Sequence, residues 1–468
     1  MTLLHPDRLF PADPTTRRVA RDLFQTVETL PILSPHGHTD PRWWGENRAF
    51  EDAAELFVVP DHYVVRMLVS QGLSVDSLGI GDGADTDRRA IWRRLADHYH
   101  LFQGTPSRLW IDHALSTVFG LNDRLSPKTA DAHFDAIADA LATPAFRPRA
   151  LYDRFRIEAI ATTDAATDDL SHHQAVLDSD WAGRVLPTYR PDACVDPDTP
   201  GFVGHVTNLG ALTGCDTSRW AGYLEAHRRR RAFFVSMGAT ATDHGHPSAR
   251  TADLPDAQAG ALYQRVIRRH MQPGDAELFR AQMLTEMARM SVDDGLVMQL
   301  HVGSLRNHHA QILRRYGRDR GFDIPVRTGF THELRPLLNA VGMDPRLTLI
   351  LFTLDESTYA RELAPLAGAY PCLKLGPPWW FHDSFEGMKR FRHMATETAG
   401  FYNTAGFNDD TRALLSIPAR HDVARRCDCA FLADLVSSHR LDEGEAHELA
   451  PQLALGLART AYRLGQPA

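Results

Sequence analysis

The chain has 468 residues, 43% of them hydrophobic and 24% charged, which allows a large buried core and excludes disordered, collagenous and coiled-coil architectures. Its 51 basic and 59 acidic residues give a formal net charge of −8, which argues against a nucleic-acid or anionic-membrane surface. Any anion it binds must be held by a few placed cations. No apolar run approaches the ~18 residues that span a bilayer, and the opening MTLLHPDRLF lacks the basic-then-apolar order of a signal peptide. The cysteines, Cys194, Cys215, Cys372, Cys427 and Cys429, are few and scattered, as expected in a reduced, cytoplasmic compartment. Cys427 and Cys429 form a C-x-C on a helix-like stretch with no second pair nearby, so packing is their expected role.

In chain order, short β-branched or apolar runs, each closed by polar residues, predict strands at Leu30–His36, Ile157–Thr163, Val185–Arg190, Ala232–Gly238, Leu296–Gly303, Leu347–Leu354, Cys372–Gly376 and Thr404–Asp409. Near-continuous apolar strands alternating with helical stretches are the pattern of a parallel sheet covered on both faces. This number of strands fits an α/β fold of the closed (β/α)8 TIM-type barrel better than an open sheet. No Gly-x-Gly-x-x-Gly or Walker A sequence follows any of them, which weakens dinucleotide and P-loop readings.

The stretch between the first and second predicted strands far exceeds a usual connection of about 4–6 residues. It contains helical patterns such as AIWRRLADHYHLF and DAHFDAIADALA, so a helical insertion after the first strand is expected. The organisation read from this is residues 1–44 as N-terminal segment and first strand, 45–150 as a helical cap, and 151–468 as the rest of the barrel with C-terminal helices. Loops after barrel strands build the active site, which would put the insertion over its mouth.

The chemistry-bearing residues cluster at predicted strand ends. His36 and His38 flank Gly37, and alternate residues of an extended chain face the same side. Two neutral imidazoles at that spacing suit a divalent transition metal, most simply zinc. The eighth strand closes on Asp409, Asp410 and Arg412, and barrel closure would set this segment beside His36 and His38. Either aspartate could complete two histidines and a carboxylate with an open coordination position. His301 ends the fifth strand and Arg306 follows in its loop. Arg190 ends the third strand, where a planar guanidinium matches a carboxylate bidentately. Trp379 and Trp380, behind Pro377 and Pro378, form a stiff aromatic loop suited to covering a sugar. Asp243-His244-Gly245-His246, after the predicted fourth strand, repeats H-x-H without an evident partner carboxylate.

Together these motifs resemble the uronate isomerase family, also called glucuronate isomerase, a branch of the amidohydrolase superfamily. The resemblance rests on HGH at 36–38, DHYVVR at 61–66, RFRIEAIATTD at 154–164, LPTYRPD at 186–192, ATDHG at 241–245, QLHVGSLRN at 299–307, WWFHD at 379–383 and DDTR at 409–412. It implies an aldose–ketose isomerase converting D-glucuronate to D-fructuronate and D-galacturonate to D-tagaturonate through a cis-enediol. It also implies that His36, His38 and Asp410 hold one divalent metal ion, most simply zinc, which selects Asp410 over Asp409. Asp410 and Tyr63 match catalytic positions, and Arg190, His301, Arg306, Trp379, Trp380 and Arg412 match substrate-site positions. The expected partner is a small uronate, with no nucleic acid or membrane, and a homo-oligomer is left open. The run RAFFVSMG, read as strand four, carries no lysine that could be carbamylated to bridge two metals. The rival readings are a mononuclear metal hydrolase of a lactone or amide, and a metal-stabilised barrel that binds sugar acids without turnover.

Overall fold

The computed structural model describes residues 3–465. Its strands are β1 (Ile32–Ser34), β2 (Ile157–Ala161), β3 (Asp164–Ala165), β4 (Val185–Leu186), β5 (Tyr189–Arg190), β6 (Ala241–His244), β7 (Val297–Val302), β8 (Ser304–Leu305), β9 (Ile324–Pro325), β10 (Leu349–Thr353) and β11 (Leu373–Leu375). The β-branched and leucine-rich sequences of β7 and β10 are buried at every position, as required of strands covered on both faces. Each fully buried Leu, Ile or Val side chain there stabilises the fold by roughly 1.5–3 kcal/mol.

The strands pair in parallel as β1-β2-β4 and as β11-β10-β7-β6-β5-β3. These two sheets are one surface, because β2 and β3 are a single extended run, as are β4 and β5. Between them the N–H groups of Ile160, Thr162, Asp164 and Ala166 donate in turn to the carbonyls of Arg184, Leu186, Thr188 and Arg190 at 2.9–3.0 Å. At the far edge β11 bridges to Thr404. The N–H of His38 then donates to the carbonyl of Thr411 at 3.0 Å, bringing the last segment beside the first. The result is a (β/α)8 barrel wrapped by helices. The antiparallel pair β8-β9 stands outside it.

Two expectations are corrected. Ala232–Gly238 is not a strand: it is the end of the helix Trp220–Ser236, and the fourth strand is β6. The buried residues Tyr223, Ala226, His227, Arg230, Arg231 and Phe234 recur at helical spacing, a period masked in sequence by the arginines among them. β6 itself has no lysine either, so that expectation survives its misplacement. The eighth strand, expected over Thr404–Asp409, is a single bridge at Thr404. Gly406 adopts φ 74° there, and a Cβ on it would lie 2.6 Å from the backbone nitrogen of Ala458, so the chain turns out of the extended conformation to pass a C-terminal helix.

Between β1 and β2 the chain is helical, with Pro41–Glu46, Ala53–Phe57, His62–Ser70, Arg88–Asp97, Pro106–His113, Ala130–Leu141 and Pro148–Arg154 as its α-helices. Their apolar faces share one core with Ile32, Ile157, Ile160 and Val185 of the barrel. The helix Pro14–Val27 packs on Ile417–Ser437, and Arg425 of the latter donates to the carbonyls of Glu28 (3.2 Å) and Pro31 (2.8 Å) just ahead of β1. Cys427 and Cys429 are buried in separate clusters, as packing predicts. No described helix is long and apolar enough to cross a membrane.

Candidate active site

A cavity of about 1070 Å³ opens at the C-terminal ends of the strands, and His36, His38, Tyr63, Arg190, His301, Arg306, Trp379, Trp380, Asp410 and Arg412 all line it. The structure thus brings these ten residues to one cavity, whereas Asp409, His244 and His246 do not line it.

His36 and His38 follow β1 with their rings 5.3 Å apart and nearly perpendicular. Asp410 Oδ1 lies 3.4 Å from Nε2 of His36 and 3.2 Å from Nε2 of His38. Asp410 has φ 41°, a left-handed conformation uncommon for any residue but glycine. The segment is therefore not extended, and Asp410 is the aspartate that faces the two imidazoles. Asp409 points elsewhere, with Oδ2 3.2 Å from Nε2 of His421. Burial alone would raise the Asp410 carboxyl, but His36 and then His38 outweigh it and hold the group well below the usual carboxylate range.

His301 joins this group from β7. Its ring stacks on His36 at 4.6 Å and on Phe352 at 3.9 Å, and one ring nitrogen can meet His36 and Asp410 at ligand spacing, all within 4.8 Å. Its Nδ1 lies 2.6 Å from Asp243 Oδ1, while Nε2 is buried without a partner. A carboxylate on one ring nitrogen with the other left open is the arrangement of a metal-ligating or substrate-polarising imidazole. This donor set fits a divalent cation bound through nitrogen and oxygen.

Arg190, Arg306 and Arg412 each carry a carboxylate partner that the sequence did not reveal. Arg190 donates through Nε to Asp192 at 2.7 Å and its Nη1 lies 3.1 Å from Asp243. Arg306 pairs with Asp323 at 2.9 Å and Arg412 with Asp319 at 2.7 Å. Gly245 makes room for the first: a Cβ there would stand 2.3 Å from Arg190 Nη2. The second H-x-H lies on and just after β6, and Asp192 is the carboxylate partner missing from its sequence reading. Both oxygens of Asp192 already accept the N–H of Gly245, at 3.1 and 3.2 Å, in addition to Arg190.

Tyr63 comes from the insertion. Asp61 caps the helix His62–Ser70 by accepting the N–H groups of Tyr63 (2.8 Å) and Val64 (3.1 Å), which sets Tyr63 in the first turn. The phenol is half-buried, and its pKa is driven well above normal, by desolvation first and then by Asp383. Trp379 is packed edge-on against His301 at 4.7 Å, whereas Trp380 stacks on Phe381 at 4.8 Å. The aromatic pair is therefore divided, one ring buttressing an imidazole and the other facing the cavity. Sequence reasoning missed Asp192, Asp319, Asp323, Asp383 and Arg420 on the cavity wall. Of these only Asp192 and Asp383 stood inside quoted motifs, LPTYRPD and WWFHD.

Reactive groups converging at the strand ends under a helical cap define a barrel enzyme with a candidate cation-binding centre. The comparisons are specific. A family model described as Glucuronate isomerase matches residues 14–455. The chain is 62% identical over 468 residues to the uronate isomerase of Mesorhizobium japonicum, covering 99% of this chain and 100% of that protein. The crystal structure of glucuronate isomerase from Caulobacter crescentus superposes with TM-score 0.98 at 56% identity, covering 100% of this chain and 98% of that one. Uronate isomerase from Thermotoga maritima does so with TM-score 0.92 at 27% identity, covering 98% and 99%. The chain belongs to the glucuronate isomerase family.

Proposed function

We propose that this protein isomerises D-glucuronate to D-fructuronate and D-galacturonate to D-tagaturonate, moving a proton from C2 to C1 of the open-chain sugar acid. The observation that carries this reading is the placement of Asp410, between two imidazoles, in a cavity that also holds Arg190, Arg306, Arg412 and the half-buried Tyr63.

His36, His38 and Asp410 would hold one divalent ion, zinc by donor type, with His301 beside them. When bound, the ion supplies Lewis-acid polarisation of substrate oxygens and a template for the chain. Arg190 receives the substrate carboxylate, because its position is fixed by Asp192 and Asp243 while other N–H donors stay available. Arg306 and Arg412 add positive charge along the wall. Asp410 removes the C2 proton and returns it to C1, acting as a desolvated base within reach of both carbons. Charge that develops on the enediol oxygens is met by His301 and the arginines. Tyr63 carries the proton that must pass between the C1 and C2 oxygens. Trp380 excludes water from the face of the sugar. The unpaired state of all five cysteines supports a reducing, cytoplasmic setting.

Proton NMR of the protein with D-glucuronate in D₂O tests this reading. Ketose signals with deuterium at or near C1 are expected. Lactone or amide hydrolysis without ketose would favour the hydrolase, and binding without any turnover the sugar-acid receptor.

A further inference from the structure

The hydroxyl of Tyr63 is not free within the cavity. It donates to Asp383 Oδ1 at 2.6 Å and accepts the N–H of Phe381 at 2.7 Å. Asp383 Oδ2 in turn accepts Nη1 of Arg420 at 2.6 Å, and the same nitrogen reaches the backbone carbonyl of Asp409 at 3.2 Å. Arg420 lies over the ring of Trp110 at 3.6 Å, and that ring meets Tyr63 edge-on at 5.7 Å. Phe381 presents its N–H from a left-handed conformation, φ 72°. Such backbone persists only where surrounding contacts over-determine it, and here the guanidinium of Arg66 covers the Phe381 ring at 4.3 Å.

We propose that Asp383 and Arg420 are positioning residues for the isomerisation: Asp383 fixes the direction of the Tyr63 O–H bond, and Arg420 ties that carboxylate to the backbone next to Asp410. The inference rests on the proposed role of Tyr63. A phenol has one proton and two lone pairs. With the proton held by Asp383 and one lone pair by Phe381, a single lone pair remains to meet the sugar, so Tyr63 accepts a substrate hydroxyl proton in one defined direction as its own proton passes to Asp383, and the reverse shift delivers a proton to the neighbouring oxygen. Arg420 joins the two proton-handling groups, because one nitrogen serves both the partner of Tyr63 and the carbonyl that precedes Asp410. A buried ion pair that only held the cap onto the barrel would not need to end on the hydroxyl of a cavity-lining tyrosine.

A double-mutant cycle of Tyr63→Phe and Asp383→Asn, read as kcat and KM for D-glucuronate, separates positioning from packing. In the parent protein Asp383→Asn is expected to lower kcat roughly 10- to 100-fold, with KM changed less than about twofold. In the Tyr63→Phe background the same change is expected to cost less than about threefold, since the group it orients is gone. Equal losses in both backgrounds, or a kcat unchanged by Asp383→Asn, would overturn the inference. If that variant fails to fold, Arg420→Lys takes its place in the same cycle with the same expectations. Full turnover by Tyr63→Phe alone would remove the role of Tyr63, and this inference with it, without reference to Asp383.

Discussion

Asp243 and His301 stand on neighbouring strands, β6 and β7, with Oδ1 of the one 2.6 Å from Nδ1 of the other. The carboxylate makes Nδ1 the protonated position and leaves the lone pair on Nε2, turned toward His36 and Asp410. Asp243 also contacts Arg190, so one buried carboxylate orients both the imidazole and the anion clamp. Asp243→Asn is expected to lower kcat/KM at least roughly 10- to 100-fold, the usual cost of losing an outer-shell carboxylate. Steady-state kinetics with elemental analysis of bound metal checks this, and an unimpaired variant would show that the contact does not matter.

The space beside Arg190 offers a second test. Gly245 has no left-handed backbone to protect, so alanine there is tolerated by the main chain, and its Cβ collides with Arg190 Nη2 at 2.3 Å. The guanidinium must move. Gly245→Ala is expected to raise KM for uronates roughly tenfold, about 1.4 kcal/mol of binding, with a smaller change in kcat. Thermal unfolding of the variant should stay close to that of the parent.

Asp164 gives a pH-dependent stability. Burial pushes its carboxyl up from 3.8 to about 7, against the opposing hydrogen bonds from Thr162 and Thr188. Between those values the folded chain keeps a proton that the unfolded chain has released, so this group's contribution to stability falls as pH rises and levels off above about 7. Asp164→Asn removes the effect. Its stability relative to the parent should increase by about 2–3 kcal/mol between pH 5 and 8. Denaturant unfolding at both pH values measures the difference. His173, whose pKa is pushed down to about 4 by burial, is present in both proteins and does not distinguish them.

Metal removal is the fourth test. Chelation is expected to abolish turnover, and one equivalent of zinc to restore it. Asp410→Asn should lose activity that zinc does not restore, because the variant lacks the base as well as a ligand. Recovery of the chelated parent without added metal would argue against a cation requirement.

The barrel was legible where strands are buried on both faces, as in Val297–Val302 and Leu349–Thr353, because short, mostly apolar runs closed by polar residues mark such strands. It was misread at Ala232–Gly238, where an apolar helix end imitates a strand and only the preceding Tyr223, Ala226 and Arg230 disclose the helical period. His36 and His38 could be found because their alternation is local. Asp410 needed the motif, since its left-handed turn is a tertiary consequence of the neighbouring His38–Thr411 contact and the packing of Gly406. Asp319, Asp323 and Arg420 left no trace in sequence, because their partners arrive from distant segments and ordinary surface charges look the same on paper.

The split of the candidate cation centre between residues 36 and 410 has a consequence for biosynthesis. A ribosome releases the imidazoles early and the carboxylate only near the end, and the helix Ile417–Ser437 that braces β1 through Arg425 emerges later still. A nascent chain can pair the first strand with β2 and pack it on the insertion helices early, but any ion held jointly by His36, His38 and Asp410 would bind late, essentially after translation.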